Sequence, residues 1–99
     1  MSEQEKKQVK IQVQLTDEMA QGKYSNLAII NHSETEFVLD FLFIQPQAPK
    51  ATVNSRIVLS PKNAKRLLMM LSENMAKHEG RFGQIVISEP APTKADLVN

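Results

Sequence analysis

Four sets of residues in this 99-residue chain have types that can do chemistry. The first is His32, Ser33 and Asp40, a base, a hydroxyl and a carboxylate, the components of a hydrolytic triad. A triad needs its nucleophile held on a strained, exposed turn, and no GxSxG elbow surrounds Ser33. The sequence NHSET is instead the composition of a polar turn, so no catalytic residue is assigned and an enzyme is not expected. The second is Asn26, Asp40 and Arg56, an amide, a carboxylate and a guanidinium that fall in one row if the strands carrying them pair in register. Such a row can hold a polar ligand, specify a partner, or fix register as an ion pair, and the last needs no further assumption. The third is the pair of histidines, His32 and His78, which belong to no metal-ligand motif such as HExxH. With no cysteine in the chain there are no thiolate ligands either, so no metal is expected. The glycines, Gly22, Gly80 and Gly83, form no phosphate loop, and no cofactor is expected.

The fourth set is basic: Lys62, Lys65, Arg66, Lys77 and Arg81. Net charge is only +1, but residues 1–49 carry four basic and seven acidic groups and residues 50–99 eight basic and four acidic. The second half can therefore contact phosphates, although Glu73 and Glu79 interrupt the basic face, and a solvated helix surface explains the same pattern. Phe37, Phe41 and Phe43 alternate along one strand as in an RNA-stacking platform. They lack the accompanying basic-glycine-aromatic signature, however, and read as core.

These residues need elements to position them. The clearest is a helix opened by Ser60 as N-cap and Pro61 at the first helical position, and closed at Gly80. At 100° per residue, Ala64, Leu67, Leu68, Leu71, Met75 and His78 occupy an arc of about 100°, continued by Phe82, a stripe suited to covering a sheet. Burying Leu67, Leu68, Leu71 and Met75 would contribute roughly 6–12 kcal/mol gross. Met69 and Met70 lie off the stripe.

Before the helix the period is two. Val9, Ile11, Val13 and Leu15 alternate with Lys10, Gln12 and Gln14, predicting a half-buried strand; Tyr24 to Asn31, Glu36 to Ile44 and Thr52 to Leu59 predict three more. Thr16 to Gly22 reads as a loop. Placing Ile29 opposite Phe37, and Phe37 opposite Leu59, gathers the odd-numbered bulky residues on one face. The expected fold is α+β: a four-stranded antiparallel β-meander followed by one long amphipathic α-helix packed on one sheet face, in two layers. One domain over residues 8–87 is expected, with a disordered tail at 1–7 and a flexible, proline-broken tail at 88–99 whose Leu97 and Val98 can dock.

The opposite sheet face would carry Tyr24, Ala28, Ile30, Val38, Leu42, Ile44 and Val58, too apolar for the outer face of a monomer. A homodimer or other protein contact is expected there, extended by Met69 and Met70, unless Gln84 to Ile87 folds back to cover it. No stretch reaches the roughly 20 apolar residues of a membrane span, and the N-terminal SEQEKKQ lacks the apolar run of a signal peptide, so the chain reads as cytoplasmic.

EFVLDFLF from Glu36 to Phe43, SRIVLSPKNAKRLLMMLSENMAKHEGRFGQI from Ser55 to Ile85 and the upstream YSNLAIINHS together resemble the small bacterial proteins grouped as domain of unknown function 3467. The resemblance covers about the central two-thirds of the chain. It implies no activity and no catalytic residues. Because members are often encoded near RNA polymerase large-subunit genes, it implies a transcription-associated setting. The reading is a small, non-enzymatic, self-associating interaction or accessory module. The alternative is a nucleic-acid-associated regulator that uses the basic helix face.

Overall fold

The computed structural model describes residues 9–47 and 50–88. The element order is α1 (Asp17–Ala20), β1 (Leu27–His32), β2 (Phe37–Ile44), β3 (Ala51–Leu59) and α2 (Pro61–Phe82). The strands form a three-stranded antiparallel sheet in the order β1-β2-β3. The fold is therefore α+β with three strands, not the expected four. Val9, Ile11, Val13 and Leu15 belong to no strand and are highly exposed. Their alternation predicts a half-buried strand, but a strand also needs a neighbour for its backbone groups, and these residues have none in the sheet.

The chain divides into two compact units, Met1–Ile29 with Asp40–Arg56, and Ile30–Leu39 with Ile57–Asn99. The first contains α1, which occupies the expected loop. Thr16 caps this single helical turn, its hydroxyl accepting the Met19 N–H at 3.1 Å, with Asp17 and Glu18 at the favourable end of the dipole. Gly22 ends it at φ 73°. Among the described residues, the buried side chains of this unit are Asp40 and Leu42.

The second unit contains the β1–β2 turn, the end of β3, and α2. Ser33 N–H donates to the Glu36 carbonyl at 2.9 Å, and the His32 ring stacks on Phe37 with centroids 5.4 Å apart. His32, not Ile29, is therefore opposite Phe37. The turn is tighter than expected because the Ser33 hydroxyl accepts the N–H groups of Thr35 and Glu36, both at 3.3 Å. The slip is three residues, an odd number, so on β1 it is Ile30 that shares the side of His32 and Phe37.

The Ser60 cap is present: its hydroxyl accepts the Asn63 N–H at 3.2 Å, and Pro61 follows it. The helix passes the expected stop at Gly80 and ends at Gly83, φ 102°, whose N–H bonds the Glu79 carbonyl at 2.9 Å. Ring contact between His78 and Phe82 at 4.9 Å, one turn apart, holds this last turn together, and Arg81 lies 5.2 Å from the Phe82 ring centre.

One expectation for α2 fails outright. None of its residues is buried, and Leu67, Leu68, Leu71 and Met75 keep 37–58% of their surface accessible. The leucine stripe is present as a pattern, but its side chains are left accessible among the described residues. Nor does Gln84 to Ile87 form a strand; Val86 and Ile87 are largely exposed. The expected tails, residues 1–7 and nearly all of 88–99, Leu97 and Val98 among them, lie outside the described residues.

Candidate functional site

Asp40 is the buried charge of the first unit, at 6% accessibility. A carboxylate leaves water only if its oxygens are satisfied, and here one side chain does so. Arg56 on β3 donates Nε to Oδ1 at 2.7 Å and Nη2 to Oδ2 at 2.9 Å, a fork-to-fork pair. This is the cross-strand relationship expected from the sequence. The Arg56 hydrogen bonds, aided by its charge and opposed by burial, hold the Asp40 carboxyl below its ordinary value. The same bonds raise Arg56 above its own. Arg56 remains mostly exposed, its side chain at 64% accessibility, so the pair presents a cation to solvent and keeps its anion inside.

Asn26 does not complete the row. Its amide Nδ2 donates to the Ile44 carbonyl at 3.0 Å, and its Oδ1 accepts the Ile44 N–H at 2.9 Å, so the side chain imitates one more residue of strand pairing. Its own N–H bonds the Leu42 carbonyl at 3.1 Å. Three neighbours unmarked by sequence reasoning tie the same segment down. The Ser25 hydroxyl lies 2.8 Å from both the Leu27 and Leu42 carbonyls, and Asn54 Nδ2 donates to the Tyr24 carbonyl at 2.9 Å. Lys23 Nζ reaches the Asn54 carbonyl at 3.5 Å. The available signal was the run of short polar side chains just ahead of an apolar strand, a composition that competes for backbone groups.

The residues of the triad pattern are engaged elsewhere: Ser33 in its turn, His32 against Phe37, Asp40 with Arg56. Among the described residues, no three histidine or acidic side chains gather as a metal site. Of the basic set, Arg66 bonds the Asn63 amide oxygen at 3.0 Å and Arg81 lies over Phe82, while Lys62, Lys65 and Lys77 are exposed along α2.

The expected apolar interface is divided by the structure. Leu42 is buried at 5%, and Val38 and Ile44 are half-buried. Tyr24, Ala28, Ile30 and Val58 are exposed, as are Met69 and Met70 on the helix. Tyr24 meets Phe43 edge to face at 6.2 Å, on the side of β2 that carries the odd-numbered residues, the side opposite to the one expected. On α2, Leu67, Leu68, Met69, Met70, Leu71 and Met75 are all exposed. There Leu68, Leu71, Ser72, Met75, Ala76 and Glu79 line an open depression of about 300 Å³.

Residues 1–87 match the family described as "Protein of unknown function (DUF3467)". No curated protein and no solved structure matches the chain. No helix among the described residues is long and apolar enough to cross a membrane.

Proposed function

Since the chain belongs to the DUF3467 family, whose description assigns no activity, we propose from its exposed surfaces that it is a non-enzymatic interaction module that acts as a homodimer. The observation that carries this reading is α2, a 22-residue helix with a leucine and methionine stripe and no buried residue. Isolated helices are marginal in water, and stable ones draw their free energy from an amphipathic face packed on something. Each fully buried leucine or methionine contributes about 1.5–3 kcal/mol, so a partner has more to offer this helix than the chain itself supplies. The alternating residues Val9 to Leu15, also exposed, support the same reading. The cysteine-free sequence suits the cytoplasm, and the transcription-associated setting implied by the family resemblance is compatible with an accessory subunit.

Sedimentation at tens of micromolar tests this directly. A dimer is expected, and a monomer across that range rejects the reading.

A second reading draws on the exposed Lys62, Lys65 and Lys77 along α2: a regulator that contacts nucleic acid. Its test is a salt titration of DNA or RNA binding, which should weaken steeply if phosphates are contacted. No binding at low salt removes it.

A further inference from the structure

We infer that two copies of the chain pair α2 against α2 in antiparallel orientation, with Lys65 of each meeting the partner's Glu79. This rests on the self-association proposed above and specifies its seam.

Within the α2 stripe, Ala64, Leu68, Leu71, Met75, His78 and Phe82 are spaced alternately by four and three, with Leu67 on the flank. That spacing is also the seam of a two-stranded coiled coil, and since the stripe is left unburied in the single chain, a second helix can take it. The depression lined by Leu68, Leu71, Ser72, Met75 and Glu79 lies on this seam and along one edge of it, a concave track open to the side chains of a second helix.

Orientation follows from size and charge. In a parallel pair each layer faces itself, so Ala64 opposes Ala64, Phe82 opposes Phe82, and His78 opposes another His78. Turned antiparallel about the middle of the helix, Ala64 lies against the partner's Phe82, Leu68 against the partner's His78, and Leu71 against the partner's Met75. The smallest side chain then meets the largest in the Ala64–Phe82 layers, and the inner layers pair side chains of similar size.

Along one edge of the seam lie Lys65, Ser72 and Glu79, the last two also lining the depression. In the antiparallel pair this edge runs along its own copy in reverse, so Lys65 meets the partner's Glu79 twice and Ser72 meets the partner's Ser72. Within one helix Lys65 and Glu79 are fourteen residues apart, about 21 Å at 1.5 Å per residue, so they cannot pair in the same chain. Glu79 accepts the Ile85 N–H through Oε2 at 3.0 Å, and its second oxygen can serve a lysine. Opposed helix dipoles favour the same orientation.

Charge reversal and cross-linking test the seam. Lys65→Glu and Glu79→Lys are each expected to raise the dimer dissociation constant roughly tenfold, and the double variant to return within about threefold of wild type. The chain has no cysteine, so single cysteines report position cleanly. Ser72→Cys should link to itself. Lys65→Cys should link only when mixed with Glu79→Cys. A sedimenting dimer in which Lys65→Cys links to itself, or in which none of these cysteines links, overturns the antiparallel seam while leaving self-association standing. A monomeric wild-type chain rejects both.

Discussion

Arg56 and Asp40 form a two-point ion pair whose halves live in different surroundings: the guanidinium is largely in water and the carboxylate is almost entirely out of it. Arg56 holds the Asp40 carboxyl below its ordinary value of 3.8 in the folded chain. A depressed carboxylate contributes stability that is present above the unfolded-state value and is lost as pH falls through the folded one. The thermal midpoint should therefore drop as pH falls below about 4, and Asp40→Asn should lose part of that acid dependence while starting lower at neutral pH. Melting curves by circular dichroism from pH 2.5 to 7 check this; an unchanged acid slope in the variant would show the pair to be without thermodynamic weight.

Gly80 and Gly83 should respond to alanine with opposite signs. Gly80 lies inside α2, where a Cβ would meet nothing within 4 Å, so Gly80→Ala should stabilise by about 0.5–1 kcal/mol. Gly83 has equally open space but φ 102°, so Gly83→Ala should destabilise by about 1 kcal/mol or more. Urea unfolding of the two variants side by side separates a steric cause, which would affect neither, from a backbone one.

Leu42 and Leu39 are buried in the single chain, whereas Leu68 and Leu71 are not. Leu42→Ala should cost about 2–4 kcal/mol at any protein concentration. Leu68→Ala should shift the monomer–dimer equilibrium and have little effect on the chain once diluted to monomer. Unfolding measured at two concentrations a hundredfold apart, with sedimentation in parallel, distinguishes the two classes.

Asn26 both donates to and accepts from Ile44, so the isosteric Asn26→Asp keeps the acceptor, loses the donor and sets a charge facing a carbonyl. It should destabilise by about 1–3 kcal/mol. A fall in hydrogen-exchange protection at the Ile44 amide, relative to wild type, would locate the effect.

The elements that sequence revealed were those specified by local chemistry. Ser60 and Pro61 announced where α2 begins because a cap and a fixed φ act within one turn. Asp40 and Arg56 were recognisable as partners because the β2–β3 register was anchored by bulky residues on one face. The β1 register was not legible. Leu27 to Ile30 is apolar on both sides, so alternation could not choose a face, and the choice fell to the Ser33 hydroxyl in the turn. The helix end was misplaced because Gly80 satisfied the usual stop signal while the His78–Phe82 contact carried the helix on to Gly83. The fourth strand failed for a broader reason. Periodicity records that Val9 to Leu15 is built to be covered on one side, and it carries no information on which chain does the covering.

That segment has a further consequence. VKIQVQL is rich in β-branched residues, contains no proline or glycine, and has Lys10 as its one charge. This is the composition that stacks into cross-β assemblies when left without a neighbour. Because Val9, Ile11, Val13 and Leu15 are exposed, Lys10 is the one charge available there to oppose such stacking, and replacing it with an apolar residue is expected to favour fibrils.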